Sequence, residues 1–261
     1  MNGERHLPSR RSGAGRLRRV AVILAALALL FAGFLAYIGY FGGPVFVSVA
    51  ATAAPRPAER GLGAVLLSGD MGFHIGMGPR IARRLAADGI PVIGVNSLTY
   101  FRTRRSPAEN EALIEQAVHR ALGQPGVRRI VLIGQSFGAD MLHAGLSTLP
   151  QALRDKISLV VLIVPGDTIE FRASPSELFS FDPPDAPAMR SARKLDWVPV
   201  ICINGAEEEH SLCPLLALPN VTHVTLPGGH LLRRDVDGLY SALRRAIRAM
   251  DGHPIERLPH G

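Results

Sequence analysis

Residues 130–140 read Ile-Val-Leu-Ile-Gly-Gln-Ser-Phe-Gly-Ala-Asp, and no other stretch limits the possible folds so tightly. Four apolar β-formers run into Gly-x-Ser-x-Gly, and residues of helical composition follow. A chain passes that abruptly from strand to helix only through a sharp turn. The central residue is then held in a strained conformation, and the flanking glycines let neighbouring segments pass close. Such a turn lifts the Ser136 hydroxyl above the sheet edge, at a helix N-terminus where developing negative charge is favoured. The five-residue motif alone is common. With a strand before it and a helix after it, the motif predicts a nucleophile.

The surrounding chain supplies the alternation that such a turn needs. Short apolar runs at Ala64–Leu67, Pro91–Val95, Ile130–Ile133, Leu159–Val164, Val198–Ile203 and Val221–Leu226 read as buried strands. Between them Gly78–Asp88, Ala108–Leu122 and Phe137–Thr148 have helical composition or period. The final stretch Asp237–Met250 places Leu239, Leu243, Ile247 and Met250 at helical spacing. Strands alternating with helices predict an α/β domain over residues 61–261, with a mostly parallel sheet and helices on both faces. Functional groups should gather at the C-terminal ends of its strands.

A serine alcohol needs a base. His230, in Leu-Pro-Gly-Gly-His directly after the last expected strand, stands at the position where a serine, acid, histidine order puts it. The ordinary pKa of histidine lies near neutrality, so it can take a proton and return it. The acid is expected after the strand ending at Ile203, within Gly205-Ala206-Glu207-Glu208-Glu209-His210. Spacing points to Glu208, with Glu207 next and Asp167 as a third candidate. The backbone N–H of Phe137 is one expected oxyanion donor, and Asp70 or Met71 in Ser68-Gly69-Asp70-Met71-Gly72 supplies the other. Asp70, Asp140 and Glu170 are carboxylates that could meet a cationic substrate. Two of them also have a structural reading, Asp70 as a turn residue and Asp140 as a partner of the helix dipole.

Upstream of this domain the chain changes character. Residues 1–19 hold six arginines against Glu4, a net of +5 out of the chain's +7, so the remainder carries only +2. That placement argues against nucleic-acid binding, which needs basic charge on the folded part. Val20–Phe41 is a run of 22 uncharged residues, which as a helix spans about 33 Å, enough for a bilayer core. With arginines before it and Tyr37, Tyr40 and Phe41 at its outer end, it reads as a single-pass anchor. The basic segment 1–19 would be cytoplasmic, residues 42–60 a linker, and the domain periplasmic. A cleaved signal ending near Ala50–Ala54 is the alternative, but the apolar run is too long for an ordinary signal peptide. In an oxidising compartment Cys202 and Cys213 are expected to form a disulfide, and their spacing makes a poor zinc site.

Four stretches together resemble the bacterial virulence-protein VirJ family and the matching C-terminal domain of AcvB. They are Ser68–Asp70 with Gly72-Phe73, Asn96–Phe101, Gly134–Asp140, and Cys202–Gly205 through Cys213-Pro214 to Leu226–His230. The resemblance covers roughly residues 62–250. It implies an exported α/β-hydrolase fold and, in AcvB-like members, hydrolysis of the aminoacyl ester of lysyl-phosphatidylglycerol. The family often carries Asp where this chain has His210, and an aromatic or histidine where Leu231-Leu232 stand. The expected activity is thus a serine esterase acting on a membrane lipid, with no metal and no organic cofactor. A non-catalytic accessory for secretion of virulence factors and a broad carboxylesterase or lipase are the alternatives. Oligomeric state is not legible.

Overall fold

The computed structural model describes residues 12–173 and 183–250. A long helix, α1 (Ser12–Ile38), leads into β1 (Phe46–Val49), β2 (Leu62–Leu67), α2 (Gly78–Ala87), β3 (Val92–Val95), α3 (Ser97–Phe101) and α4 (Pro107–Leu122). Next come β4 (Arg129–Gln135), α5 (Phe137–Gly145), α6 (Gln151–Arg154), β5 (Ile157–Ile163), β6 (Thr168–Ile169) and β7 (Ala186–Pro187). The chain ends in α7 (Met189–Ala192), β8 (Val200–Gly205), β9 (Val221–Leu226) and α8 (Val236–Ala249). Seven strands form one sheet in the order β1-β3-β2-β4-β5-β8-β9, with β6 and β7 as a separate small ribbon. Only β1 runs antiparallel to its neighbour in the large sheet.

The central strands are buried on both faces, which is why they read as unbroken apolar runs. Side chains alternate along each strand. Val65, Leu67, Leu132, Val160 and Leu162 join a core with Leu113, Ala117, Met141 and Leu142 from α4 and α5. Ala64, Leu66, Val131, Ile133 and Val161 join a second core with Ile81, Leu85, Leu239 and Leu243 from α2 and α8. A capping box at Ser106 and Glu109 starts α4, satisfying donors that a helix N-terminus leaves unpaired.

The N-terminal region departs from the expected anchor-and-linker division. Gly15–Ile38 is long and apolar enough to cross a membrane, and nearly all of it is exposed. Its last turn, however, enters the domain: Ile38 is 1% exposed and packs with Val95, Leu98 and Phe101. Residues 42–60, expected as a linker, contain β1, whose residues pair with Val92–Val95. Phe46-Val47-Ser48-Val49 has strand composition, but the glycines, prolines and alanines around it obscured the signal.

Candidate active site

Ser136 follows the central strand β4, between Ile163, whose carbonyl accepts from the Ser136 N–H at 2.8 Å, and the first turn of α5. Its backbone sits at φ 52° and ψ −129°, strained for a residue with a side chain. Close packing enforces this turn. A Cβ on Gly134 would lie 2.5 Å from Ala139 Cα, and one on Gly138 would lie 2.3 Å from the Ser68 carbonyl oxygen. Gly134 is required because the first turn of α5 folds back against β4, and Gly138 because the end of β2 passes directly beside it.

The Ser136 hydroxyl meets His230 Nε2 at 2.7 Å, and His230 Nδ1 meets Glu208 Oε1 at 2.6 Å. The second Glu208 oxygen accepts the Gly205 N–H at 3.2 Å. Glu208 is buried while its histidine partner is half exposed. A carboxylate held at both oxygens fixes the tautomer and direction of the ring, which leaves Nε2 facing the serine. The Glu208 carboxylate also holds the His230 imidazolium above its ordinary range, against the opposing effect of burial, and Asp70 adds in the same direction. The acid and histidine loops are pressed together at Gly205, where a Cβ would lie 2.4 Å from the Gly228 and Gly229 carbonyl oxygens.

The other acid candidates lie elsewhere. Glu207 points to solvent and pairs with Arg233 at 3.1 Å. Asp167 meets His210 at 3.3 Å. The disulfide between Cys202 and Cys213, with Cα atoms 5.4 Å apart, closes the loop that carries all three glutamates. It ties that loop to β8, and the Leu212 N–H bonds the Pro165 carbonyl at 3.0 Å on the neighbouring connection.

Phe137 opens α5, where backbone N–H groups have no partner inside the helix. Gly69, Asp70 and Met71 form the facing wall of a cleft of about 140 Å³ that also takes in Ser136, Val164, His230 and Leu231. A Cβ on Gly69 would lie 3.6 Å from Ser136 Cβ, so the loop backbone passes within ordinary contact distance of the nucleophile. Two buried serines hold the loop. The Ser97 N–H donates to Ser68 Oγ at 3.0 Å, and the Ser97 hydroxyl donates to the Ser68 carbonyl at 2.6 Å. A site of this form can accept the proton of Ser136 at His230 and present backbone donors to a developing oxyanion.

Among the expected substrate carboxylates, Asp70 is exposed at the cleft and Glu170 is half-buried after β6. Asp140 is directed inward and accepts the Gly166 N–H at 2.9 Å. Burial pushes its carboxyl well above the usual range, the Gly166 bond opposes this, and the charges of Glu208, Asp167 and Glu170 add to the rise. Beside it, burial lowers His143 to about 3, so its ring is neutral. Val164 was not anticipated: it lines the cleft at φ 46°, and nothing in an apolar strand run marks its last residue as left-handed.

The sequence model of the bacterial virulence protein (VirJ) matches residues 62–251. The chain belongs to the VirJ family. No curated protein matches its sequence. Among solved structures, Est1E from Butyrivibrio proteoclasticus is 13% identical, with a TM-score of 0.59 over 80% of this chain and 94% of that one. The proline iminopeptidase of Mycobacterium smegmatis, also 13% identical, gives 0.56 over 79% and 94%. Esterase B from Lactobacillus rhamnosis, 15% identical, gives 0.51 over 92% and 97%. At such identities the likeness establishes the fold of this VirJ-family chain, an α/β-hydrolase fold.

Proposed function

We propose that this VirJ-family chain is a membrane-anchored serine esterase that hydrolyses the aminoacyl ester of aminoacyl-phosphatidylglycerol, lysyl before alanyl. The observation that carries the esterase reading is the continuous relay from Ser136 through His230 to buried Glu208. Ser136 Oγ attacks the ester carbonyl carbon as His230 Nε2 takes its proton. The phosphatidylglycerol oxygen leaves with that proton, and the aminoacyl group stays on the serine. Water then attacks this ester with His230 again as base, releasing the amino acid and restoring the hydroxyl. Phe137 and the Asp70–Met71 backbone would face the oxyanion in both halves.

The lipid substrate draws on two further observations. An apolar helix precedes the domain. Asp70 lies exposed at the cleft beside the nucleophile, where a carboxylate suits an ammonium group. The helix reads as a retained anchor rather than a cleaved signal: cleavage near Ala54 would strip both Ile38 and β1 from the fold. The disulfide supports an oxidising space, and we read it as the periplasm, on the side away from the arginine-rich N-terminus. The purified full chain, incubated with vesicles containing lysyl-phosphatidylglycerol, is expected to release lysine, and Ser136→Ala is expected to abolish release. No release, or equal release by the variant, would overturn the proposal. If short p-nitrophenyl esters alone are cleaved, the broad carboxylesterase reading holds instead.

A further inference from the structure

Anchored enzymes commonly hang from a flexible tether that leaves the orientation of the active site open. This chain has no such tether. Ile38, the last residue of α1, is buried in the core, and β1 begins eight residues later in the sheet. The junction is fixed by specific bonds: the Thr99 hydroxyl donates to the Gly39 carbonyl at 3.1 Å, and an Arg102 guanidinium N–H donates to the Tyr40 carbonyl at 3.3 Å. The helix therefore leaves the domain at one set place.

That place is the edge that carries Ser136. The Ile38 carbonyl lies against Gly72, where a Cβ would come within 2.6 Å of it. The Tyr37 ring sits 5.4 Å from that of His74. Both partners belong to the loop whose other end, at Gly69, touches the nucleophile. The same edge also carries exposed apolar side chains beside the exposed Asp70. Among the described residues beyond α1, four large apolar side chains are exposed: Phe41, Met71, Leu215 and Leu231. Met71 and Leu231 are on the lip of the Ser136 cleft, and Phe41 continues directly from α1. Isolated apolar residues on a surface need no explanation, but a group of them around a cleft at the foot of a membrane-length helix does.

From these observations we infer that the cleft opens onto the membrane surface itself. Met71 and Leu231 insert at the interface beside Tyr37 and Phe41, so Ser136 draws its ester sideways from the leaflet in which α1 ends. This rests on the reading of α1 as a retained anchor and adds to it the direction in which the site faces. Aromatic rings at the end of a spanning helix lie at headgroup level. A cleft whose wall packs against the last turn of that helix is held near the same depth.

The test uses the full chain in a Ser136→Ala background, with an added Leu231→Cys bearing an environment-sensitive fluorophore beside the intact disulfide. The protein is reconstituted in vesicles of phosphatidylethanolamine and phosphatidylglycerol. Phe41→Cys reports the anchor end, and Lys156→Cys, just before β5 at the opposite sheet edge, reports the far side. The Leu231 and Phe41 probes are expected to shift to the blue, to be quenched by lipids with a nitroxide near the headgroup, and to lose quenching by iodide. The Lys156 probe should show none of these changes. A Leu231 probe quenched by iodide like that at Lys156 would overturn the inference. So would one shielded from both quenchers, which would mean that a protein partner covers the face. Should Leu231→Cys not fold, Met71→Cys on the facing lip gives the same readout. Because the readout needs no turnover, it separates this inference from the substrate. Lipid quenching without lysine release by the native chain would leave the orientation standing and remove the proposed ester.

Discussion

Two adjacent glutamates meet different fates here, and backbone geometry alone separates them. Glu208 turns in to His230 and the Gly205 N–H, while Glu207 turns out to Arg233. Ester hydrolysis should fall by roughly 10⁴-fold in Glu208→Gln, the loss seen when the orienting acid of such a relay is neutralised. Glu207→Gln should stay within a few fold of the native chain, and steady-state kinetics on a soluble ester separates the two. The raised pKa of His230 sets a direction for pH dependence. Only its neutral form can accept the Ser136 proton, so the acid limb of kcat/KM should lie above the ordinary histidine range. It should move to lower pH in Glu208→Gln, which removes the main cause of the rise. The sign for stability is opposite. A folded-state pKa above the unfolded one means that the charged His230–Glu208 pair stabilises the fold below the unfolded value. That contribution disappears as pH rises through the folded value.

The strand–turn–helix unit at β4 and α5 works because three segments pass within contact distance. Gly138→Ala would drive a methyl into the Ser68 carbonyl, a backbone atom that cannot rotate away. It should destabilise the chain by about 1–3 kcal/mol, and chemical denaturation measures this. The acid loop depends on a different constraint. The disulfide closes a loop with a sequence separation of 11 residues around Glu208, and reduction should cost about 2–4 kcal/mol. Unfolding curves with and without reductant test that value. These two elements were legible to different degrees. The glycines around Ser136 and the order of serine, acid loop and histidine stand in the sequence. The inward turn of Glu208 does not, because Glu207, Glu208 and Glu209 are chemically identical and differ only in backbone direction.

A third kind of constraint belongs to the whole molecule. The N-terminal helix is part of the domain rather than an appendage to it. Ile38→Ala in the full chain should cost about 2–4 kcal/mol, as expected for a fully buried isoleucine. Leu30→Ala, on the exposed part of the same helix, should change domain stability little. Denaturation in detergent compares the two. The far side of the molecule is fastened by a buried charge cluster. Arg244 of α8 pairs with Glu59, just before β2, and at 3.1 Å with Asp88 at the end of α2. Glu59 and the C-terminal end of α2 are thereby tied to α8.

Apolar periodicity and the glycine-flanked serine were enough to set the α/β-hydrolase architecture, because strands buried on both faces must be continuous apolar runs and a strand-to-helix turn of that sharpness needs glycine. The same local logic placed His230 after the last strand and the acid within a three-glutamate loop. Only the folded chain decided which glutamate, since that choice depends on the Cys202–Cys213 tie and on contact between the Gly205 and Gly228 segments. Only the folded chain could also join the anchor to the active-site loop. Ile38, Gly72 and Thr99 are distant in sequence, and no local pattern records that they touch.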